Sequence, residues 1–295
     1  MCGIVGFFAK TQSLRETLGA QVVPMIVCMG DRGSDSAGLA VFADRANGHR
    51  RYSLYSRERN FPWDGLADQL GDELACQVQG MSNHGILLSE ASEAEVKAVL
   101  CAQCPDLHLL SAGRLMDVYK DIGHPADISQ RYDFNSLRGS HCVGHTRMAT
   151  ESAVTPVHSH PFVAGEDFCL VHNGSLSNHH SLRRKLEGLG IEFETDNDTE
   201  AVCRFLEWRM REGDTIEGAL DRAFAEVDGF YTLLIGTADR IVLVRDAFAC
   251  KPAVVAETTD YVAIGSEFRT LAHLPGIGDA NLFEPGPEEI YSWKV

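Results

Sequence analysis

The N-terminal segment 1–7, MCGIVGF, constrains the fold more than any other part of the chain. Cys2 follows the initiator methionine, and its small side chain favours removal of Met1, which would leave a thiol and a free α-amine on one residue. An α-amine has a reference pKa of about 7.7 to 8.0, so it can act as the base for the thiol. The apolar run 4–9 predicts a strand that anchors this residue in a sheet core. The alternative is a buried cysteine that opens an edge strand, with Met1 retained.

Composition narrows the class of protein. The 295 residues suffice for one large domain or two ordinary ones, and 44% hydrophobic with 23% charged residues is typical of a globular protein. The 26 Lys and Arg against 42 Asp and Glu give a charge of −16, which argues against nucleic acid as a partner. No apolar run approaches the ~20 residues of a membrane span. No signal-peptide pattern opens the chain, so a cytoplasmic location is expected.

No metal or cofactor is expected from the candidate ligand residues. Cys101 and Cys104 form a C-x-x-C pair, but no second pair or nearby histidine completes a zinc set. His158 and His160 have the spacing of some metal ligands, yet no carboxylate motif accompanies them, which favours structural or hydrogen-bonding roles. The nine cysteines are interpreted as reduced, mostly buried thiols. No glycine-rich phosphate loop of either common type occurs in the chain.

Hydrophobic periodicity predicts a single α+β domain over residues 1–295. Before residue 43, the pattern predicts a helix over 13–29, with Ser13 and Glu16 as a capping box, and a strand over 39–42. The stretch from about 43 to 140 is less legible and is interpreted either as part of the same globule or as a large elaboration on it. Its predicted strands are 80–88 and 107–112, and its predicted helices are 90–101 and 125–132. The C-terminal half predicts helices over 178–189, 198–211 and 214–226, then antiparallel strands over 231–236, 241–245, 253–257, 261–264 and 288–293.

Three polar segments have both a structural and a functional interpretation. The turn 31–38 is either a plain connector or part of a site wall. Asn173-Gly174 follows an apolar strand, which indicates a turn, or else the Asn amide and Gly N–H converge as donors for an oxyanion. Asp198 either caps the following helix or also directs a carboxylate at a substrate ammonium.

Five separated motifs occur in one order along the chain: CGIVG at 2–6, RGSDSAG at 32–38, GHTRMAT at 144–150, HNG at 172–174 and NDTE at 197–200. A sixth stretch extends from DGF at 228–230 to GSE at 265–267. Together they resemble the class II glutamine amidotransferases, which are N-terminal-nucleophile hydrolases. The resemblance covers essentially the whole chain outside 43–140. It implies a four-layer αββα fold in which two antiparallel sheets stack between helical layers.

The resemblance also assigns residue roles. Cys2 would attack the side-chain amide of L-glutamine, and Asn173 with the Gly174 backbone would form the oxyanion hole. Arg147 would hold the substrate α-carboxylate, with Thr150 of the same motif also in the binding set, and Asp198 would hold the α-ammonium. A planar guanidinium suits a carboxylate, and a desolvated ammonium requires a carboxylate, so physical chemistry agrees with these roles.

Two positions depart from the pattern, since many members carry Trp where Met148 stands and His where Glu151 stands. The middle stretch is longer than the same interval in most members. The segments 117–123 and 150–154 resemble stand-alone amidotransferase subunits of glutamate-synthase-like systems, of which N-methylglutamate synthase is the nearest. That resemblance implies separately encoded synthase subunits as partners, one of them flavin-binding. Two alternatives stay open: hydrolysis of another amide, and a non-hydrolytic structural or regulatory subunit.

Overall fold

Two antiparallel sheets stacked face to face form the centre of the protein, for which the computed structural model describes residues 2–43, 48–71, 73–148 and 154–294. The strands are β1 (Gly3–Ala9), β2 (Ser36–Phe42), β3 (Arg50–Ser56), β4 (Cys76–Met81), β5 (His84–Ser89), β6 (Leu107–Gly113), β7 (Met116–Ile122), β8 (His141–Arg147), β9 (Phe162–Val163), β10 (Cys169–Leu176), β11 (Gly229–Thr237), β12 (Arg240–Arg245), β13 (Val254–Glu257), β14 (Tyr261–Gly265), β15 (Asn281–Phe283) and β16 (Tyr291–Lys294). The helices are α1 (Gln12–Glu16), α2 (Leu18–Cys28), α3 (Leu66–Leu70), α4 (Glu93–Gln103), α5 (Pro125–Arg131), α6 (His179–Glu187), α7 (Asp198–Arg211) and α8 (Ile216–Glu226).

Strand order places β1 inside the larger sheet. That sheet runs β15-β13-β14-β1-β8-β2-β7, and the second runs β16-β12-β11-β10-β9. Every strand pair in both sheets is antiparallel. Because β1 is hydrogen-bonded on both sides, its position is fixed by β14 and β8 together.

Alternation along β1 divides its side chains between two cores. Ile4 and Phe8 belong to the core between the sheets, whereas Val5 and Phe7 belong to the core under α2 and α5. Each such fully buried side chain contributes about 1.5 to 3 kcal/mol by leaving water. Helices α6, α7 and α8 cover the outer face of the second sheet. The layer order is helix, sheet, sheet, helix, which confirms the predicted αββα sandwich.

The middle stretch 43–140 divides into two parts. Strands β3 to β6 form a separate four-stranded sheet in the order β4-β5-β3-β6, which we call the insert sheet, and α3 and α4 pack on it. The later part, β7 and α5, belongs to the sandwich, because β7 pairs with β2 along its whole length. The insert sheet leaves and rejoins the sandwich at one place, where Ala43 N–H donates to Leu115 O at 2.7 Å.

Two local predictions were wrong. The segment 80–88 is not one strand but the hairpin β4–β5, with Ser82 in a left-handed conformation (φ 58°) at its turn. The helix predicted over 13–29 is two helices, α1 and α2, and Ser13 with Glu16 makes no capping box because the chain enters α1 through Thr11 without a side-chain cap. No helix within the described ranges is long and apolar enough to cross a membrane.

Candidate active site at the head of β1

Cys2 lies directly before β1, at one end of the two-sheet sandwich. Alternation along β1 places Cys2 on the same face as Ile4, toward the second sheet. Its side chain is partly exposed. Its backbone carbonyl accepts hydrogen bonds from Arg32 Nε at 2.9 Å and from Asn173 Nδ2 at 3.3 Å. Groups from two distant parts of the chain therefore hold the backbone of this residue.

The C-terminal motif at 265–267 completes this support. The Ser266 hydroxyl accepts from Ile4 N–H at 2.9 Å, and Ser266 N–H donates to Ile4 O at 3.1 Å. Glu267 Oε1 lies 2.6 Å from Arg32 Nη1, and this hydrogen bond holds the pKa of the Glu267 carboxyl below its ordinary value. The motifs at 32–38 and 265–267 were recognised in the sequence, but no role was predicted for Arg32, Ser266 or Glu267. Their function of holding the start of β1 depends on pairing across the fold.

Asn173 and Gly174 lie inside β10, so the interpretation of these residues as a turn was wrong. Asn173 alternates with Val171, which faces the core between the sheets, and this places its amide beside Cys2. A side chain at Gly174 is excluded, because a Cβ there would lie 1.9 Å from Phe230 O and the backbone has φ +152°.

The backbone N–H of Gly174 faces the free edge of β10. His172 O accepts from His145 Nε2 at 3.0 Å, and Leu176 N–H donates to Asp198 Oδ2 at 3.0 Å. In an antiparallel strand, alternate residues direct their backbone polar groups to the same edge. Gly174 is two residues away from both His172 and Leu176, so its N–H points to the same edge as their backbone polar groups, which is the edge away from β11.

Asp198 is the first residue of α7, and the side-chain cap of that helix is Asn197, whose Oδ1 accepts from Thr199 N–H at 2.9 Å. The prediction of Asp198 as the cap was therefore wrong by one residue. Burial opposes ionisation of Asp198, but His172, 3.8 Å from Oδ1, and the Leu176 N–H outweigh it and hold the pKa of the carboxyl well below its ordinary value. With 23% of its side chain exposed, Asp198 presents a carboxylate at a helix N-terminus.

A buried polar network lies behind Asp198. The Thr199 hydroxyl is 2.9 Å from His160 Nε2 and 3.0 Å from His172 Nδ1. The rings of His145 and His160 stack with their centroids 4.0 Å apart, and burial lowers the pKa of His145 to about 3. The structural interpretation of His160 agrees with this placement. His158 lies apart from this network, with its Nδ1 2.7 Å from the Thr155 hydroxyl.

Arg147 ends β8 and is 5% exposed. It alternates with His145 and Val143, so it lies on the face toward the second sheet. The turn 31–38 packs directly on its backbone: Asp35 N–H donates to Arg147 O at 3.0 Å, and a Cβ at Gly33 would lie 2.6 Å from Arg147 N. The predicted turn 31–38 is shorter in the structure, because Ser36 already begins β2, and its remaining residues pack against the backbone of Arg147. The predicted substrate-binding Thr150 and the departure at Glu151 lie outside the described residues.

The fold thus gathers Cys2, Asn173, Gly174, Arg147 and Asp198 at neighbouring strand and helix ends. Cys2 and Asn173 are in contact, and Gly174 and Asp198 share the edge of β10. In the part of the chain that the structure describes, no cluster of three or more His, Cys, Asp or Glu side chains is placed to hold a metal ion.

Stacked antiparallel sheets between helical layers, with a cysteine at the head of a central strand, define the class of N-terminal-nucleophile hydrolases. A solved structure of glutamine phosphoribosylpyrophosphate amidotransferase from B. subtilis shares this fold, with a TM-score of 0.63 and 17% identity. The match covers 99% of this chain and 49% of that one, so this chain spans about half its length.

The particular family follows from sequence comparison. A family model described as a glutamine amidotransferase domain matches residues 145–273. The glutamine amidotransferase-like protein GlxB of Rhizobium meliloti (strain 1021) is 45% identical over 295 residues, covering 99% of this chain and 98% of that protein. The glutamine–fructose-6-phosphate aminotransferase of Shewanella oneidensis is 31% identical over 127 residues, or 42% of this chain and 21% of that protein. The chain belongs to the class II glutamine amidotransferase family.

Proposed function

We propose that this protein hydrolyses L-glutamine to L-glutamate and ammonia, with Cys2 as the nucleophile after removal of Met1. The observation that carries the proposal is the support of the Cys2 backbone by Arg32 and Asn173, at 2.9 and 3.3 Å. Such support fixes the thiol at the head of β1, where a nucleophile needs a defined position. Membership of the family supplies the expectation of glutamine as the substrate.

The chemistry needs a thiolate and a preorganised oxyanion site. The Cys2 α-amine takes the thiol proton, and the sulfur forms a bond to the glutamine side-chain carbonyl carbon. The second N–H of the Asn173 amide and the Gly174 N–H are the donors for the resulting oxyanion. The C–N bond then breaks, the amine returns its proton to the leaving ammonia, and water hydrolyses the thioester to release glutamate and regenerate Cys2.

The head group of the substrate is bound by opposite charges. We assign the α-carboxylate to Arg147, whose planar fork allows two parallel hydrogen bonds. We assign the α-ammonium to Asp198, supported by the depressed pKa that keeps its carboxylate ionised. An amide without the amino-acid head group would make neither of these charged contacts, which selects against it.

The test is chemical labelling of the nucleophile. Mass spectrometry of the purified protein should find Cys2 as the N-terminal residue, and diazo-oxo-norleucine should add one adduct on Cys2. Cys2→Ala should abolish hydrolysis and labelling while leaving the circular dichroism spectrum unchanged. Labelling of another cysteine with Cys2 untouched, or retention of Met1 in active protein, would overturn the assignment.

We further propose that the released ammonia passes to separately encoded synthase subunits, one of them flavin-binding, in a complex of the glutamate-synthase type. Ammonia released into neutral water is largely protonated and lost as a nucleophile, so a productive amidotransferase needs a synthase against its pocket. The relative named as an aminotransferase is matched over only 21% of its length, which leaves room for acceptor chemistry outside the shared domain. All nine cysteines are free thiols, which suits a cytoplasmic complex.

Exposed apolar side chains around the site support docking there. Met148, Phe230, Phe248 and Phe268, which we call the mouth rim, are 41 to 71% exposed. Three of them lie beside the site in sequence or pairing: Met148 follows Arg147, Phe268 follows Glu267, and Phe230 precedes Tyr231, which pairs with Gly174. The rings of Phe230 and Phe248 are 5.6 Å apart. An apolar rim around a pocket is typical of a protein interaction site.

Co-purification with the products of neighbouring genes tests the complex. Phe248→Ser should weaken capture of the synthase subunit and leave glutamine hydrolysis by the isolated chain unchanged. Leu189→Ser is the matched control, since Leu189 is also exposed (53%) but follows α6 on the outer helical layer. If Phe248→Ser leaves capture intact and replacement of exposed residues on the insert sheet abolishes it, the docking surface is the insert sheet. If the chain binds no neighbour, a free-standing glutaminase replaces the subunit proposal.

A further inference from the structure

A cleft of ≈ 620 Å³ separates the insert sheet from the sandwich. One wall is formed by α4 and β6 of the insert sheet. The other wall is formed by β9 and by residues from 194 to 204, where α7 begins. The proposed catalytic and glutamine-binding residues do not line it. Its volume is that of sites for small organic ligands.

Lys120 lines this cleft as a buried cation without a carboxylate partner. The residue is 5% exposed and lies on β7 opposite Gly38. Its Nζ donates to Ser159 O at 3.1 Å and to Pro161 O at 3.3 Å, and lies 5.4 Å from the centre of the Phe162 ring. Among the described ion pairs, none includes Lys120. Since an ammonium has three N–H donors, one donor remains for a ligand.

Ser111 supplies a second polar group among the lining residues. It is 4% exposed, and within the described ranges its hydroxyl has no hydrogen-bond partner. A buried hydroxyl without a partner costs about 1 to 3 kcal/mol, so an acceptor in the cleft would relieve this penalty. Leu109, Val163 and Ala164 make the surrounding surface apolar.

The other charged lining residues already pair with each other. Lys97 Nζ lies 2.7 Å from Glu93 Oε1, and Arg204 Nη2 lies 3.1 Å from Glu200 Oε1. Glu200 also accepts from the Thr195 N–H and hydroxyl. Glu194, the third carboxylate of the lining, lies 3.7 Å from the same Arg204 nitrogen. Lys120 is therefore the one lining cation that no ion pair among the described residues includes.

We propose that this cleft is a second ligand site, distinct from the Cys2 site, which binds a small organic carboxylate through Lys120 and the Ser111 hydroxyl. The carboxylate accepts from the third N–H of Lys120 and from Ser111, and a short carbon chain lies on the apolar wall. A buried ammonium and an unpaired hydroxyl are then satisfied by one group.

The cleft is connected to the proposed glutamine site. The two carbonyls that Lys120 holds, from Ser159 and Pro161, flank His160 in the chain, and His160 contacts Thr199 beside Asp198. A ligand in the cleft is therefore expected to change the position of Asp198, whose carboxylate is assigned to the α-ammonium of glutamine. This consequence, unlike the binding itself, rests on the proposed function, and it predicts a change in KM for glutamine at constant kcat.

Calorimetric titration of the full chain with succinate, and with the uncharged succinamide, tests the proposal. Succinate should bind and succinamide should not. Lys120→Met should weaken succinate binding about 10- to 100-fold, and Ser111→Ala by a smaller factor. Lys97→Met is the matched control, because Lys97 lines the same cleft but is already paired, and it should change affinity less than about 2-fold. Arg147→Met, which removes the group assigned to the glutamine α-carboxylate, should bind succinate like the wild type, and this separates the cleft from the glutamine site.

A readout on the unmodified protein covers the case in which Lys120→Met fails to fold. Burial lowers the pKa of Lys120 to about 8, and a bound carboxylate should raise it again. Succinate binding at pH 8 should therefore take up about half a proton, and binding at pH 7, where succinate is still fully ionised, should take up only about a tenth of a proton. The carboxyls of Glu194 and Glu200 face Lys120 and act against the effect of burial on its pKa, and burial holds the pKa of the nearby His160 well below its ordinary value.

Three results would overturn the proposal. They are no succinate binding up to 10 mM (about the weakest affinity of interest for a metabolite), equal binding of succinamide, and undiminished succinate binding by folded Lys120→Met. Tighter binding of inorganic phosphate than of succinate would reject the carboxylate class. Loss of glutamine hydrolysis with succinate binding intact would refute only the proposed function.

Discussion

At the scale of single residues, Gly174 has the least freedom to change. Its φ of +152° is open only to glycine, and a Cβ would also lie 2.7 Å from His172 Nε2. The neighbouring Asn173 contacts the Cys2 carbonyl, so a shift of β10 here would move the proposed oxyanion donors together.

We expect Gly174→Ala to destabilise the protein by about 1 to 3 kcal/mol and to lower kcat for glutamine hydrolysis, because β10 must move away from β11. Urea unfolding and initial-rate kinetics measure the two effects. Gly218→Ala is the control: its site in α8 leaves the nearest atom 3.5 Å from a Cβ, and alanine there should be neutral or stabilising by up to about 1 kcal/mol. Wild-type stability and kcat in Gly174→Ala would contradict the strained geometry.

Arg147 and Asn173 should have different kinetic signatures. Arg147→Lys should mainly raise KM for glutamine, because a point charge replaces a bidentate fork. Asn173→Ala should mainly lower kcat, by about 10²- to 10³-fold, since an oxyanion donor acts in the transition state. Steady-state kinetics of both variants separate the roles. Equal effects of the two changes on kcat alone would show that the roles are misassigned.

At the scale of elements, the start of α7 joins several functions. Asn197 caps the helix, Asp198 presents its carboxylate, and Thr199 bonds to two histidines, all within one turn. Glu200 accepts from the backbone N–H groups of Glu194 and Thr195 and so holds the preceding loop against the helix. The position of one carboxylate thus depends on four consecutive residues.

Removing the cap should therefore affect both stability and substrate binding. We expect Asn197→Ala to cost about 1 kcal/mol, the usual value for loss of an N-cap, and to raise KM for glutamine by moving Asp198. Thr215→Ala, which removes the cap of α8 (Thr215 Oγ1 accepts from Gly218 N–H at 3.1 Å), should cost a similar amount of stability without changing KM. If both variants raise KM alike, the effect is general loosening and not the position of Asp198.

Elements with strong local signals could be predicted from the sequence. The bounds of α7 were predicted correctly, because its polar start and apolar stripe are both local. The hairpin β4–β5 was predicted as one strand because its left-handed turn position is occupied by Ser82, where glycine or asparagine is usual. For the candidate site, Cys2, Asn173 and Asp198 were predicted from motifs, and the structure places them near one another. Arg32 and Glu267 were missed because their contact joins opposite ends of the chain.

At the scale of the whole molecule, the fold buries several histidines, in the sandwich and in the insert sheet, and their burial disfavours the protonated ring. Burial lowers the pKa of His84 and His145 to about 3 and that of His141 to about 4, and the pKa of His160 also lies well below its ordinary value. Because folded pKa values lie below the unfolded value of 6.5, the unfolded chain binds more protons as pH falls.

Stability should therefore fall as the pH drops through 6.5 toward 4. Each buried histidine adds up to about 1.4 kcal/mol per pH unit to the slope of the free energy of unfolding against pH. Urea midpoints followed by circular dichroism at pH 7.5, 6.5 and 5.5 measure this. Replacement of the exposed His180 by Gln should leave the slope unchanged, whereas a midpoint that is constant over this pH range would show that the buried rings are protonated in the folded state.

The way the insert sheet joins the sandwich has a consequence for folding order. Phe42, the last residue of β2, pairs with Met116, the first residue of β7, although the whole insert sheet lies between these two strands in sequence. Its own first and last strands are also paired, Arg51 with Gly113, so a folded insert sheet holds its two ends side by side. Closing a long unstructured loop costs conformational entropy that a preformed unit has already removed. The insert sheet is thus expected to fold before β7 docks on β2. Mutations that destabilise the insert sheet should then slow the pairing of β2 with β7, although the mutated residues do not contact these strands.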